Sequence, residues 1–309
     1  MINRVLIRLK IIQIVFAYYQ NGNKNLDSAE KELFFSISKA YDLYNYLLIL
    51  MITLKNYAKK RMEAARSKMI PLSEEEQKFH IRFIENKFVK QLESNVQLTE
   101  FVITQKKTWD NEMIFIKELY ESIIESDIYK GYVADSNSSY ESDKYFWRKI
   151  YKQFIFNNES LDQVLEEQSL YWNDDKEIVD TFVLKTIKRF DETQGSEQPL
   201  LPEFKDEEDK EFAGRLFRRT IQNEEYYRYL ISENTKNWDF ERVALMDVII
   251  MQCAIAEILS FPNIPISVSL NEYVEIAKLY STLKSGAFVN GTLDGIVKKL
   301  KKEGKLNKN

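Results

Sequence analysis

Arg4 and Arg8 stand four residues apart in a stretch that is otherwise almost entirely apolar. On a helix that spacing is about one turn, so both guanidiniums leave the same face. Tyr19 falls on about the same sector farther along. Two guanidiniums can grip phosphate oxygens bidentately, and a tyrosine ring can stack a base. The chemistry is that of a single-stranded nucleic-acid contact. The alternative is a pair of ordinary surface arginines flanking a buried helix.

A second cluster lies in the run Leu283-Lys-Ser-Gly-Ala-Phe-Val-Asn-Gly291. Ser285 can cap a helix whose free N–H groups point at an anion. Lys284 adds charge beside it, Gly286 lets a backbone approach closely, Phe288 offers a stacking face, and Asn290 offers a donor and an acceptor. The same residues fit a helix–helix turn with a serine cap and a core phenylalanine. Their chemistry leaves both readings open.

Catalytic patterns are absent. There is no phosphate-binding loop, no G-x-G-x-x-G, no G-x-S-x-G and no H-E-x-x-H. The single histidine, His80, sits beside Phe79 and reads as a solvated or half-packed side chain. The single cysteine, Cys253, lies among Ile249, Ile250, Ala254 and Ala256 and reads as a small core residue. One cysteine cannot form an internal disulfide, which fits a reducing, cytoplasmic setting. We therefore expect no enzyme, no cofactor and no metal site.

The elements that must position these residues are helices. The 309 residues include only 8 glycines and 5 prolines, and 44% are hydrophobic. Residues 2–20 are apolar almost all round, the pattern of a buried helix; Arg4, Arg8 and Lys10 make them neither a signal peptide nor a membrane span. Long helical patterns follow at 28–70, with Asp27 as N-cap, and from a capping box at Ser73–Glu76 to about Lys107. Shorter ones lie near 111–129, ended by Gly131, then at 143–156, at 161–172 with a Ser160/Gln163 capping box, and at 174–192. Thr193–Pro202, with Gly195, Pro199 and Pro202, reads as a linker. Helices are expected near 204–232, 240–260, 270–282, capped by Ser269, and 286–302. The net charge is −4, so any nucleic-acid site must be a local patch. The tail from Lys298 is such a basic segment.

Four ordered motifs carry a family resemblance. They are Met246-Asp-Val-Ile-Ile-Met-Gln-Cys-Ala-Ile-Ala-Glu-Ile258, then Ile264-Pro265, then Ser269-Leu-Asn-Glu-Tyr-Val-Glu-Ile-Ala-Lys278, then Lys284-Ser-Gly-Ala-Phe-Val-Asn-Gly-Thr-Leu-Asp294. Together they resemble the C-terminal half of the NusB family. Arg8, Gln13, Phe16 and Tyr18 fall where that family has Arg, Gln, Tyr and an aromatic in its opening helix. Val5, Leu6 and Ile7 stand where more Arg or Ala is usual; Lys10 and the lysine tail are available to compensate. Residues from about 25 to 200 interrupt the pattern and resemble the long helical insertion of NusB-like proteins in Bacteroidetes-type bacteria. The stretch 204–235 is only weakly family-like.

The resemblance implies an all-α fold, a NusB-like bundle of the first helix (1–24) and the C-terminal helices (201–309) around a helical insertion (25–200). It implies an RNA-binding transcription antitermination factor that recognises a boxA-like element of nascent transcripts. The expected partners are the small-subunit ribosomal protein NusE and an RNA polymerase antitermination complex. By motif match Arg4, Arg8, Lys284, Ser285, Gly286 and Phe288, with Lys10 compensating, would lie near RNA, and Phe16 and Asp247 near the protein partner. The rival expectation is a helical interaction scaffold with little or no RNA binding. An RNA-modifying enzyme would need a glycine-rich α/β domain, and the chain has no such stretch.

Overall fold

The computed structural model describes residues 3–21, 25–66, 81–235, 243–282 and 284–308. His80, Pro71 and the Ser73–Glu76 motif lie outside the described residues. Every regular element among the described residues is helical. The chain divides into two units, one of Ser38–Glu203 and one of Ile2–Ile37 with Phe204–Asn309.

In the first unit, the helices are α2 (Leu26–Arg66, from Ser38 on), α3 (Lys87–Glu93), α4 (Val96–Gln105), α5 (Met113–Glu125), α6 (Asp127–Ala134), α7 (Tyr140–Ile150), α8 (Glu159–Gln168) and α9 (Lys176–Arg189). Where the sequence predicts one helix up to Lys107, two asparagines break it. Asn86 and Asn95 take N-cap positions, their side chains accepting the N–H groups of Val89 and Leu98. Asparagine competes for the backbone in this way, which is why it favours caps over helix interiors. Gly131 does not end a helix; Ser126 starts a new one over Asp127–Ala134, with Gly131 inside it. The cap of α8 is Asn158 in place of the expected Ser160. The expected linker is packed: residues 192–197 form a 3-10 turn, and Leu200 and Leu201 are buried.

The second unit is built on α12 (Leu245–Ser260), which is buried without a break from Asp247 to Ile258. Around it are α1 (Arg4–Gln20), α10 (Glu207–Gln222), α11 (Glu224–Asn234), α13 (Ile266–Tyr280) and α14 (Ser285–Lys302). α1 packs on both α10 and α12, so the first helix joins the C-terminal ones. The reason lies in its composition. Leu6, Ile7, Leu9, Ile11, Ile12, Ile14 and Val15 are all buried, and a helix apolar on every side must be surrounded.

The boundary falls later than residue 24 because the start of α2 belongs here. Leu33 and Ile37 are buried, and the rings of Phe34 and Phe204 lie 6.4 Å apart. Asn25, not Asp27, caps α2, accepting the N–H of Ser28 at 2.9 Å. Asp27 instead meets Arg218 at 2.9 Å, beside a second bond from Arg218 Nε to Glu30 at 2.7 Å.

Two outcomes follow from this packing. Replacing residues 38–203 by a short Gly/Ser linker should leave a helical product with one cooperative urea transition, because the ends already meet at Phe34 and Phe204. Circular dichroism during titration checks this, and a product without a sigmoidal transition would count against it. Cys253 is fully buried, and burial pushes its thiol up to about 12. It should resist a thiol reagent at pH 8 until the protein is unfolded in urea. Since the folded thiol binds its proton more tightly than the unfolded one, its contribution to stability is complete below pH 9 and fades as pH rises towards 12.

Candidate functional site

Arg8 does not face water. Its side chain is 3% exposed, and it grips Glu257 bidentately, Nε to Oε2 and Nη2 to Oε1 both at 2.8 Å. Glu257 is itself fully buried on α12. The same carboxylate accepts Ser269 Oγ at 2.7 Å and the Tyr273 hydroxyl at 3.0 Å, both from α13. Four donors thus fill its four acceptor positions. Arg8 Nη1 also reaches Glu272 at 3.4 Å. Burial opposes the charge on Arg8, but the Glu257 bonds and the nearby carboxylate charges outweigh it and hold its pKa above the ordinary value.

Arg4 is partly covered. Its Nε donates to Asp209 at 2.9 Å and its Nη2 to Glu208 at 2.7 Å, and its guanidinium lies 4.9 Å from the centroid of Phe212. The acidic run that supplies these partners opens α10: Asp206 is the N-cap, and Glu207, Glu208 and Asp209 form the first turn. Carboxylates favour that end of a helix, so the run serves α10 and Arg4 together. Lys10 is buried.

The 284–291 cluster is likewise turned inward in part. Lys284 takes the N-cap position of α14, with Ser285 as the first helical residue and buried. Ser285 Oγ donates to Asp247 at 2.9 Å and accepts the N–H of Thr282 at 3.0 Å. Asp247, expected to face a protein partner, is buried at the start of α12 and serves this internal bond. Gly286 permits a close approach, but to Lys278: a Cβ there would sit 2.7 Å from the Lys278 Cγ. Lys284 and Asn290 are exposed, and Phe16 and Phe288 are half-buried. The expected Ser269 cap lies inside α13, which opens after Pro265.

Sequence reasoning missed Glu257, Ser269 and Tyr273 as the partners of Arg8. The signal was present: Arg8 and Glu257 are charges set in otherwise apolar helices, and each needs an opposite charge if buried.

The second unit is thus an all-helical bundle with a buried ion pair joining its first helix to its centre. The comparisons with known proteins give that bundle a family. The sequence pattern of the NusB family matches residues 178–298. The transcription antitermination protein NusB of Salinibacter ruber is 39% identical over 132 residues, 41% of this chain and 82% of that protein. Its counterpart in Chloroherpeton thalassium is 41% identical over 99 residues, 32% of this chain and 47% of that one. That of Methylacidiphilum infernorum is 43% identical over 93 residues, 30% and 65% of the two. A solved structure of T. maritima NusB is 35% identical and covers 40% of this chain and 87% of that chain, with a TM-score of 0.31. The chain belongs to the NusB family.

An Arg8→Glu exchange would set two carboxylates together in the core and so would test folding. Arg8→Met is the cleaner probe. It should lower the unfolding free energy by about 3–5 kcal/mol, the cost of leaving a buried charge without its partner. Adding Glu257→Leu should recover most of that loss. Urea titrations of the two variants check this; a deficit below ~1 kcal/mol for Arg8→Met, as for an exposed pair, would contradict it.

Proposed function

We propose that the chain is a non-enzymatic transcription antitermination factor that binds a boxA-like element of nascent transcripts together with the small-subunit ribosomal protein NusE. The observation that carries this is the 39% identity that spans 82% of the Salinibacter ruber NusB protein. The partner complex is that of an elongating RNA polymerase. Lys284 and Phe288, with Arg4 at the edge of its acidic neighbours, remain the residues of the sequence motifs best placed to meet RNA. Phe16, half-buried on α1, is the residue we assign to the protein partner. None of the described helices is long and apolar enough to cross a membrane.

A second reading has one observation in its favour. Arg8 is committed to Glu257, and Lys10, Ser285 and Gly286 are buried. A helical scaffold that holds proteins together with little RNA affinity would tolerate that arrangement.

Fluorescence anisotropy of a labelled boxA-like RNA, with and without purified NusE, separates the two. The antitermination reading expects tighter RNA binding when NusE is present, and an affinity that falls with salt at roughly −0.7 per neutralised phosphate in a log–log plot. No RNA binding in either condition, together with a stable complex with NusE alone, would establish the scaffold.

A further inference from the structure

The concentrated positive charge of the second unit lies at its end. From Lys298 to Lys308 the sequence holds six lysines and one glutamate. Lys298, Lys301, Lys302 and Lys305 are exposed.

The segment after α14 is held in place. Gly304 takes a left-handed conformation, φ +68°. Its N–H reaches the Lys301 carbonyl at 3.1 Å, and the N–H of Lys305 reaches Leu300 at 2.9 Å. This pair of bonds is the Schellman turn, and glycine takes the left-handed step without a Cβ penalty. Beyond it Leu306 is buried, and the Lys308 ammonium donates to the carbonyls of Phe261 at 2.7 Å and Ile264 at 2.8 Å. Lys305 is thereby kept within electrostatic reach of two tyrosines on α11.

Those tyrosines are Tyr226 and Tyr229, three residues apart and so on one helix face. They are 36% and 55% exposed. Lys299 places its ammonium 5.6 Å from the Tyr229 ring centroid. The acidic neighbours include Asp294, 2.6 Å from Lys298, Glu233, 3.8 Å from Lys299, and Glu303, 2.8 Å from Lys305. They leave the lysines in excess.

We propose that Tyr226 and Tyr229, with Lys299, Lys302 and Lys305, form a contact surface for single-stranded RNA. The rings offer stacking faces that any base can use, and the ammonium groups meet phosphates beside them; aromatic rings set among cations are how single strands are held without sequence readout. This rests on the RNA reading above and adds a location, on α11 and the end of α14, apart from the residues of the family motifs. An acidic protein segment would match the lysines as well, and the test distinguishes it.

The experiment is anisotropy titration of the full chain with a labelled, unstructured RNA across a salt series. Tyr226→Ala/Tyr229→Ala should weaken binding about five-fold or more, the smallest effect of losing one stacked base. Tyr226→Phe/Tyr229→Phe keeps the rings and should bind as the wild type does. Lys299→Gln/Lys302→Gln/Lys305→Gln should reduce the salt slope by about 2, from three phosphate contacts at roughly 0.7 each. Matching circular dichroism spectra show that the variants fold, and the phenylalanine pair keeps the test informative if the alanine pair does not. Unchanged affinity and slope in every variant would overturn this placement and leave the RNA reading standing. Displacement of the RNA by polyglutamate as readily as by unlabelled RNA of equal charge would assign the surface to an acidic protein. No RNA binding by the wild type, with or without NusE, would overturn the RNA reading and this surface with it.

Discussion

The second unit depends on one interaction, the buried pair of Arg8 and Glu257. Taking a guanidinium and a carboxylate out of water costs several kcal/mol per ion. The loss is offset only where geometry is good and every remaining acceptor is filled. Here the two parallel Arg8 bonds, Ser269 and Tyr273 meet that condition. The pair also sets register. α1 is apolar on all sides, so burial alone would let it slide or turn in its groove between α10 and α12. A charge that can be satisfied at one place fixes which turn of α1 meets the middle of α13 and the end of α12. It does so across the 249 positions that separate the two residues in sequence.

The same interaction changes what the surface can do. Of the cations at the start of the chain, Arg8 and Lys10 lie inside, and Arg4 is held by two carboxylates at the opening of α10. Charge buried against a protein carboxylate, as on Arg8, is a poor phosphate ligand, because an incoming phosphate must displace a partner of equal sign and similar geometry; an exposed pair is weak and exchanges readily. Ser285 follows the same logic. Its hydroxyl is shared between Asp247 and the turn at Thr282, so it fastens α14 to α12.

Much of this architecture was legible in the sequence. The composition and the scarcity of glycine and proline gave an all-helical protein, and the all-round apolar pattern of residues 2–20 required α1 to be surrounded. The ordered motifs from Met246 to Asp294 placed the family. Periodicity could not show where Asn86 and Asn95 stop a helix, because an asparagine is tolerated inside one and its role is decided by what its side chain can reach. Asn86 also donates to Tyr132 and to the Asp143 carbonyl, partners remote in sequence. Residues 193–202 carried every mark of a loose linker, yet Asn95 donates to the carbonyl of Gln198 and holds the stretch down. The facing of Arg8 was the largest gap. Two arginines one turn apart look alike in sequence, and only the position of Glu257 decides that one is core and the other rim.

Charge is unevenly distributed along the chain. The chain carries −4 overall while residues 298–308 carry +5, which leaves −9 for the rest. The segment is a local concentration of positive charge in a chain that is otherwise net negative. Screening limits each charge to about 8 Å at physiological salt, so its attraction for a polyanion is felt only close to the lysines. A concentrated patch therefore acts differently from the same charges spread out: it selects where a phosphate backbone lands before any base is touched. For that selection to be useful the patch must have a fixed shape. The turn at Gly304 and the anchoring of Lys308 on the carbonyls of Phe261 and Ile264 supply it. Lys308 gives up its own role as a free cation in doing so; burial lowers its pKa. One lysine of the segment thus holds the turn that keeps Lys305 near Tyr226 and Tyr229 of α11.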